Sequence, residues 1–454
     1  MKHYDLVAIG SGNTGLVAAF RAAGAKKKVA IVDEKPVGGL CSIAGCNPKK
    51  VLVRATEMLD EVRRADKHGI AARDVSIDWG RVVDRKNSFT DPVPEQTEES
   101  LRSSGIDLVR GHARFTGPDR IEVRGAGQTE EVSAEAFVVA TGSRPRALDF
   151  PGAEHVRTTD DILSLRRIPA QLVIVGAGVV AFEFGFVFAR LGSEVTLLAQ
   201  GSSALADFDP TFLGPVLALG ERLGLRVRRQ TRVTKVEPKD GALAVSVQSD
   251  SGGSPEALRA DFVLNAAGRI PAIDGLGLDR AGVAFDKRGV RVNEYLRSPE
   301  NRRVFAGGDA HGRYQLSPMA SYEGRVIADN VLQGDVRKAD YTIVPRAIFT
   351  TPPLAQVGLT EQQAKKQGVA VEVLDRDMET WKVFAIAGDE QARARLVIDQ
   401  ASGRLLGAQL WSATAADIIH FLAMALRAGA TRKDLAEFVY AYPTATSALG
   451  SAFQ

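Results

Sequence analysis

The sequence predicts an α/β chain in which two dinucleotide-binding units are followed by a separate α+β unit. Three observations carry this expectation. A strand, a glycine-rich turn, a helix and a second strand follow one another near the N-terminus; the same unit recurs near residue 172; and from about residue 340 the pattern changes to alternating strands followed by helices. Length agrees, because 454 residues exceed the size at which one hydrophobic core stops growing, and about 150 residues per domain suggests about three domains.

In the first unit the strand Leu6-Val7-Ala8-Ile9 runs into Gly10-Ser11-Gly12-Asn13-Thr14-Gly15, then an alanine-rich helical stretch, then Val29-Ala30-Ile31-Val32, ending at Asp33. Gly10, Gly12 and Gly15 permit a tight turn and let backbone N–H groups and a helix N-terminus approach a pyrophosphate. Asp33 can accept hydrogen bonds from ribose hydroxyls. With both strands, the helix and the acid present, this is a Rossmann-like fingerprint and not an ordinary turn. The second unit runs from Leu172-Val173-Ile174-Val175 through Gly176-Ala177-Gly178-Val179-Val180-Ala181 to Glu194-Val195-Thr196-Leu197-Leu198. Here the position of Asp33 is taken by Ala199, followed by Gln200, Gly201, Ser202 and Ser203. With neither an acid for a ribose hydroxyl nor a nearby arginine for a 2′-phosphate, the second site is expected to accept either nicotinamide nucleotide.

A shorter echo supports the duplication. Val138-Val139-Ala140-Thr141-Gly142-Ser143-Arg144-Pro145 corresponds to Leu264-Asn265-Ala266-Ala267-Gly268-Arg269-Ile270-Pro271. Further on, Val304-Phe305-Ala306-Gly307-Gly308-Asp309 reads as an apolar strand ending in two glycines and an acid, which suits close contact with a cofactor. In the last unit, residues 347–358 and 392–410 alternate like strands, and residues 415–428 and 433–438 read as helices.

Composition excludes several classes. An apolar fraction of 45% and a charged fraction of 25% are ordinary for soluble proteins. A net charge of +3 is small for this length, and the basic runs Lys26-Lys27-Lys28 and Lys365-Lys366 are too short for a nucleic-acid footprint, so they are expected to be solvated helix ends. The most apolar helical stretch, residues 179–191, contains Glu183 and falls short of the roughly 20 residues of a membrane span. The N-terminus enters its first strand with no apolar signal region, so the expected location is the cytoplasm.

Cys41 and Cys46 are the only cysteines. In a reducing compartment a close pair points to redox chemistry or metal binding. Zinc is the weaker alternative, because two thiolates supply half of a tetrahedral site and no His or second cysteine pair stands nearby in sequence. No metal ligands are therefore assigned. The pair lies just past the first ribose-binding strand, in Gly38-Gly39-Leu40-Cys41-Ser42-Ile43-Ala44-Gly45-Cys46-Asn47-Pro48-Lys49-Lys50. Gly45 is expected to loosen a first helical turn enough for the sulfurs to meet.

This segment resembles the redox centre of the pyridine-nucleotide disulfide oxidoreductases, among them glutathione reductase, dihydrolipoamide dehydrogenase and mercuric reductase. The likeness extends over nearly the whole chain, through both fingerprints, Ala140-Thr141-Gly142, the 305–309 motif, Leu316-Ser317-Pro318, Phe349-Thr350-Thr351-Pro352 and Val357-Gly358-Leu359-Thr360. It implies FAD at the first site, NAD(P)H at the second and a C-terminal dimerisation domain in a homodimer. The domains expected are 1–150 for FAD and the redox pair, 151–270 for NAD(P), 271–337 completing the FAD site and 338–454 for dimerisation.

Carried over position by position, Cys46 faces the flavin as the charge-transfer thiolate and Cys41 exchanges with the acceptor. Lys49 lies near the flavin's reactive nitrogen with Glu183 as its partner, Asp309 binds the ribityl chain, and Asp33 binds the adenosine ribose. Gly39, Ala113, Thr141, Gly142 and Gly308 join the expected FAD contacts; Gly176, Gly178, Gln200 and Gly268 join those of the nicotinamide nucleotide.

The pattern breaks at the C-terminus. Relatives that reduce disulfides carry a His-Pro-Thr segment followed by a Glu that reaches the partner subunit's active site; this chain has Tyr442-Pro443-Thr444-Ala445-Thr446-Ser447. Histidine there protonates a leaving thiolate, whereas tyrosine, with an ordinary pKa of about 10, donates a hydrogen bond but is a poor base at pH 7. Mercuric reductases share a tyrosine at this place, yet the C-terminal cysteine pair that delivers their metal is missing from Ala452-Phe453-Gln454. Arg325 matches one arginine of a glutathione site, but Phe20 stands where another belongs. The leading expectation is an NAD(P)H-dependent reductase whose small-molecule acceptor is a disulfide or other thiol-reactive compound. Reduction of a soft metal ion, direct electron transfer from flavin to quinone or oxygen, and a non-catalytic redox sensor are the alternatives.

Overall fold

The computed structural model describes residues 1–250, 252 and 254–454. Its first sheet has seven strands. Asp107–Arg110, Val29–Asp33, Lys2–Ile9 and Thr129–Val139 run parallel in that order, Arg120–Arg124 and His112–Gly117 continue antiparallel, and Val304–Ala306 pairs in parallel with Thr129–Val139. The central strands read as unbroken apolar runs because both faces are covered: Leu6, Val7, Ala8 and Val138 are fully buried. On one face lies the first fingerprint helix, Asn13–Gly24, whose Ala18, Ala19 and Ala22 are also fully buried. Small side chains let its backbone lie close to the sheet. The late strand Val304–Ala306 returns to this sheet and delivers Gly307, Gly308 and Asp309 beside the first fingerprint.

A second, four-stranded parallel sheet runs in the order Leu225–Arg228, Glu194–Leu198, Gln171–Val175, Phe262–Asn265. The three-stranded antiparallel sheet Thr231–Lys239, Ala242–Ser249, Glu256–Ala260 adjoins it. The two halves of the short echo meet directly, since Ser143–Pro145 pairs antiparallel with Arg269–Pro271. The last unit is a five-stranded antiparallel sheet in the order Arg346–Ile348, Leu354–Gly358, Leu405–Trp411, Arg393–Asp399, Val371–Asp377, with helices Ala415–Ala428 and Arg432–Glu437.

The cysteine segment differs from expectation. In place of one loosened helical turn there are two helices, a short one at Gly39–Ile43 carrying Cys41 and a long one at Cys46–Arg63 that begins on the second cysteine. A β-carbon on Gly45 would lie 2.8 Å from the Leu40 carbonyl oxygen and 3.3 Å from the Cys41 α-carbon, so a side chain at this junction would push the two cysteine-bearing turns apart.

One hydrophobic cluster ties the units together at the level of this long helix. It joins its Leu52 and Val53 to Phe182, Phe184, Phe186 and Phe188 of the second fingerprint helix, Val179–Arg190, and to Ile348, Leu354 and Trp411 of the C-terminal sheet. Every residue of 181–190 is buried, because that helix is covered on all sides and not on one stripe. Arg190 ends it. Its guanidinium donates to the carbonyls of Thr350 and Thr351, stacks 5.5 Å from the Phe186 ring, and lies 3.9 Å from the Asp60 carboxylate. Burial holds its pKa down to about 10. Replacing Arg190 with alanine leaves two carbonyls unpaired and a void between the units. Arg190→Ala is expected to cost about 2–4 kcal/mol, read as a lowered urea midpoint; an unchanged midpoint rejects the clamp.

Candidate active site

The sulfur pair sits beside the start of helix Ser317–Gln333, on a segment that packs on the first fingerprint loop through Gly39 and on the second fingerprint helix through Lys49. Both cysteines are free thiols, Cys46 exposed and Cys41 half-buried. They are close enough for each to shift the other's proton affinity, and the Ser317 hydroxyl, in the first turn of helix Ser317–Gln333, lies 3.4 Å from Cys46 Sγ. The pair is strongly asymmetric. The hydrogen bond from Cys41, then the Ser317 hydroxyl and the charge of Lys49, draw Cys46 down to about 6 against the opposing effects of burial and Glu183. The same hydrogen bond, with burial, pushes Cys41 well above the usual thiol range. In the dithiol state the negative charge therefore resides on Cys46, at the N-terminus of its helix, where a thiolate is best tolerated.

One turn further along, Lys49 Nζ lies 2.6 Å from Glu183 Oε1, with the two side chains only 12% and 7% exposed. The Phe349 N–H also donates to Glu183, at 3.1 Å, and the Phe349 ring lies 4.8 Å from the Lys49 ammonium and 4.1 Å from that of Lys50. The cysteine helix, the second fingerprint helix and the residue after strand Arg346–Ile348 are thus fastened at one point.

At the first fingerprint, Gly10 takes φ +108, and a β-carbon there would lie 2.4 Å from the Ala140 carbonyl oxygen; at Gly15 one would lie 2.0 Å from the Gly10 oxygen. These positions are closed by backbone, whereas nothing lies within 4 Å of a β-carbon on Gly12 or Gly142, which leaves an open cradle edged by backbone. The Thr141 hydroxyl is buried beside this loop with no hydrogen-bond partner among the described residues. An open glycine edge with an orphaned hydroxyl fits a dinucleotide. Gly39 packs on the loop, its β-carbon position 2.5 Å from the Gly12 α-carbon, and so brings the cysteine segment against the fingerprint.

Asp33 holds the loop itself. Its Oδ2 accepts from Ser11 N–H at 2.8 Å and Ser11 Oγ at 2.6 Å, and its Oδ1 accepts from Lys35 N–H at 2.9 Å. Ala113 places its side chain in the core, 3% exposed and opposite Val123, so only its backbone is available to a ligand. Asp309 accepts from Ser143 Oγ at 2.5 Å, and Arg269 donates to the same oxygen at 2.8 Å and to the Ser143 carbonyl at 2.6 Å. Burial pushes the Asp309 carboxyl up. Gly308 packs on Thr14, whose hydroxyl donates to the Ala320 carbonyl at 2.9 Å, while Asn13 donates to that of Ser317 at 3.2 Å. The starts of two helices are locked together beside the sulfurs.

At the second fingerprint, Gly176 closes on the Ala266 carbonyl, Gly178 is open, and Gly268 turns between strands Phe262–Asn265 and Arg269–Pro271. Gln200 is exposed and Ala199 buried. Strand order sets Arg228 beside this end, its carbonyl accepting from Ala199 N–H, but its guanidinium is engaged by Glu256 at 2.5 and 3.1 Å. Tyr442 is 73% exposed, and no hydrogen bond or ion pair among the described residues joins it to its own chain's sulfurs. Ser447 closes a local capping turn with Thr444. Ser317 and Phe349 stood within motifs visible in the sequence but without roles; Ser143 and Arg269 carried no signal beyond the echoed turns.

Two nucleotide-binding units meeting at a pair of thiols define a dinucleotide-dependent disulfide oxidoreductase. Residues 4–324 match the pyridine nucleotide-disulphide oxidoreductase family and residues 344–453 match its dimerisation domain, and the chain belongs to this family. Its members are FAD-dependent and use NAD(P)H, and the dimerisation domain supports a homodimer. The chain is 34% identical over 445 residues to glutathione reductase of Burkholderia cepacia, covering 97% of this chain and 96% of that one. It is 32% identical over 450 residues to mercuric reductase of Staphylococcus aureus, covering 98% and 81%. Among solved structures it is similar to the HOCl-induced flavoprotein disulfide reductase RclA from Escherichia coli in its Cu(II) complex, with TM-score 0.90, 25% identity, and coverage of 100% and 99%. No helix among the described residues is long and apolar enough to cross a membrane.

The thiol asymmetry has a direct readout. A lowered Cys46 pKa means that its reactive thiolate is present above about pH 6 and lost below it. In the reduced protein, alkylation of Cys46 followed by peptide mass spectrometry is expected to rise through pH 6, and Ser317→Ala is expected to move that rise to higher pH. A rise near the ordinary thiol value of about 8.5 in the unsubstituted protein rejects the assignment.

Proposed function

We propose that the protein is an NAD(P)H-dependent flavin reductase that delivers two electrons through Cys41 and Cys46 to a small thiol-reactive acceptor, a disulfide or a reactive sulfur compound. The observation that carries this reading is the pair of free thiols, Cys46 beside the Ser317 hydroxyl and one helical turn from the buried Lys49–Glu183 ion pair. FAD bound in the first unit supplies the relay between nicotinamide and sulfur, held by the Gly10 to Gly15 loop, Thr141 and Asp309. The Gly176 to Gly178 loop and Gln200 would hold the nicotinamide nucleotide, which would supply the hydride, and Lys49 with Glu183 would stand near the flavin's reactive nitrogen.

The thiols do the rest. Cys41 passes its proton along the hydrogen bond to Cys46 and attacks the acceptor, whose leaving group departs with one electron pair. Cys46, its proton released to solvent, then attacks the Cys41 sulfur, expels the reduced product and closes the disulfide. One thiol and one thiolate become a disulfide, the acceptor gains two electrons and departs as anions, and the single proton of the pair goes to solvent, from which the product takes up protons. Because the pair acts as its own base, the acceptor is one whose leaving group needs little protonation. This fits Tyr442 and Ser447 standing where a His and a Glu would otherwise assist. A cytoplasmic location suits a chain whose only cysteines are kept for exchange.

A soft metal ion is the second reading. It is favoured by the mercuric reductase relative and by the Cu(II) complex of RclA, and two adjacent thiols are soft donors.

Cys41→Ser is expected to reduce NAD(P)H turnover with an activated aromatic disulfide by about 100-fold or more while the flavin is still reduced. Anaerobic titration of the unsubstituted protein should take up four electrons, with long-wavelength thiolate-to-flavin absorbance after two. Turnover that survives in Cys41→Ser, or bleaching after two electrons without that band, overturns the reading in favour of direct transfer from flavin to quinone or oxygen. A single reduction that stalls without a partner points to a sensor.

A further inference from the structure

The most deeply buried carboxylate in this region has no part in the chemistry above. Glu323, on helix Ser317–Gln333, is 0% exposed. Its Oε2 accepts from the Gly308 N–H at 2.5 Å; its Oε1 accepts from the Tyr341 hydroxyl at 2.7 Å and lies 3.0 Å from His311 Nε2. A carboxylate has no hydrogen to give, so His311 presents Nε2–H. Burying an ionised carboxylate is tolerated only where donors replace water, and here all three do.

The donors come from different parts of the chain. Gly308 precedes Asp309 in a turn with φ +63, tucked against Thr14. His311 opens the loop that leads to Ser317. Tyr341 stands just before strand Arg346–Ile348, at the entry to the dimerisation region. Its ring carries the Arg313 guanidinium at 4.0 Å and stacks on Tyr314 at 5.6 Å, which in turn carries Arg346 at 5.2 Å. Burial and the neighbouring Glu323 push the Tyr341 hydroxyl up, so it remains a donor. Glu323 also lies close enough to Asp309 to add, after burial, to the rise of that carboxyl.

We propose that Glu323 is a positioning residue for the flavin site: by holding the Gly308 N–H it sets the turn that aims Asp309, and through Tyr341 it ties that turn to the seating of the C-terminal unit. This rests on the reading that Asp309 holds the FAD ribityl chain. Glutamine fits the same space but has one accepting oxygen. In Glu323→Gln the amide NH2 therefore faces either the Gly308 N–H or the His311 and Tyr341 donors, and the turn is released or the entry segment shifts.

The test measures FAD dissociation from folded apoprotein and the flavin midpoint potential of the holoprotein. Glu323→Gln removes a buried negative charge, so FAD affinity falls about tenfold or more and the potential moves positive. Tyr341→Phe leaves the Gly308 bond in place and strips a donor from the carboxylate. Its affinity loss is smaller, and its potential moves negative because the charge is less compensated. Opposite signs are what a merely structural residue does not produce. Affinity within about twofold of the unsubstituted protein in Glu323→Gln, or potentials that stay fixed or shift the same way in both variants, overturns the proposal. Should Glu323→Gln fail to fold, the negative shift in Tyr341→Phe decides alone. Asp309→Asn, measured alongside, separates the two failures: unchanged FAD affinity there sinks the underlying reading, whereas a loss there with none in Glu323→Gln sinks only this one.

Discussion

Lys49 and Glu183 lie where the helix that carries Cys46, the helix of the second fingerprint and the edge of the C-terminal sheet come together. Removing two charges from water costs several kcal/mol per ion even after relaxation. Apolar residues of the same size would pack this junction at least as stably, so the pair is poorly explained by stability alone. Each charge is instead held by a second feature: Glu183 by the Phe349 N–H, Lys49 by the face of the Phe349 ring. That arrangement forces the three segments into one register, since losing any of them strands a buried charge. The unbroken burial of residues 181–190 follows from the same constraint. A helix that must bring a carboxylate to a point between two other units is covered on all sides.

The charge on Lys49 reaches the sulfur chemistry because lysine and cysteine are one helical turn apart. A thiolate on Cys46 gains from that ammonium, from the Ser317 hydroxyl and from the Cys41 thiol, while Glu183 acts against it. The balance leaves Cys46 as the anion and Cys41 as the proton carrier. Had the cysteines stood in one regular helix, five residues apart, they would have pointed to different faces. The break at Gly45 lets a short helix fold back, and this fold-back is why a local sequence feature becomes a site.

Much of the architecture was readable because its causes are local. Gly10 and Gly15 answer to backbone atoms a fraction of a van der Waals distance away, and such a demand leaves its mark in the sequence whatever surrounds it. The roles of Lys49 and Glu183 came only through resemblance, since neither residue type nor spacing reveals a partner in another unit. Other features were hidden for physical reasons. Strand Val371–Asp377 buries only Leu374, being the outer strand of its sheet, so it lacks the alternation that marks a half-buried strand. Asp33 was assigned to a ribose, and its acidic character was legible, but the rotamer that turns Oδ2 onto Ser11 depends on the loop's folded shape. Ser143 and Arg269 belong to turns recognised as echoes of each other. That the echoes pair as strands and meet over Asp309 is a fact of the third dimension.

The exposed end of the chain follows from the same geometry. Phe438, Val439 and Tyr442 are 54%, 89% and 73% exposed in one protomer, apolar surface of the kind that marks a contact with another chain, in keeping with the dimerisation domain. No hydrogen bond among the described residues joins Tyr442 to the sulfurs of its own chain. On the proposed reading it faces the sulfurs of the partner subunit, where a phenol offers a hydrogen bond and little basicity. On that reading the sulfur pair supplies its own base, the Cys46 thiolate taking the proton of Cys41, at the expense of leaving-group assistance. An acceptor that leaves as a stable anion needs no such assistance, and neither does a soft cation captured directly by sulfur. On the proposed reading, tyrosine in place of histidine therefore narrows the acceptors without abolishing exchange.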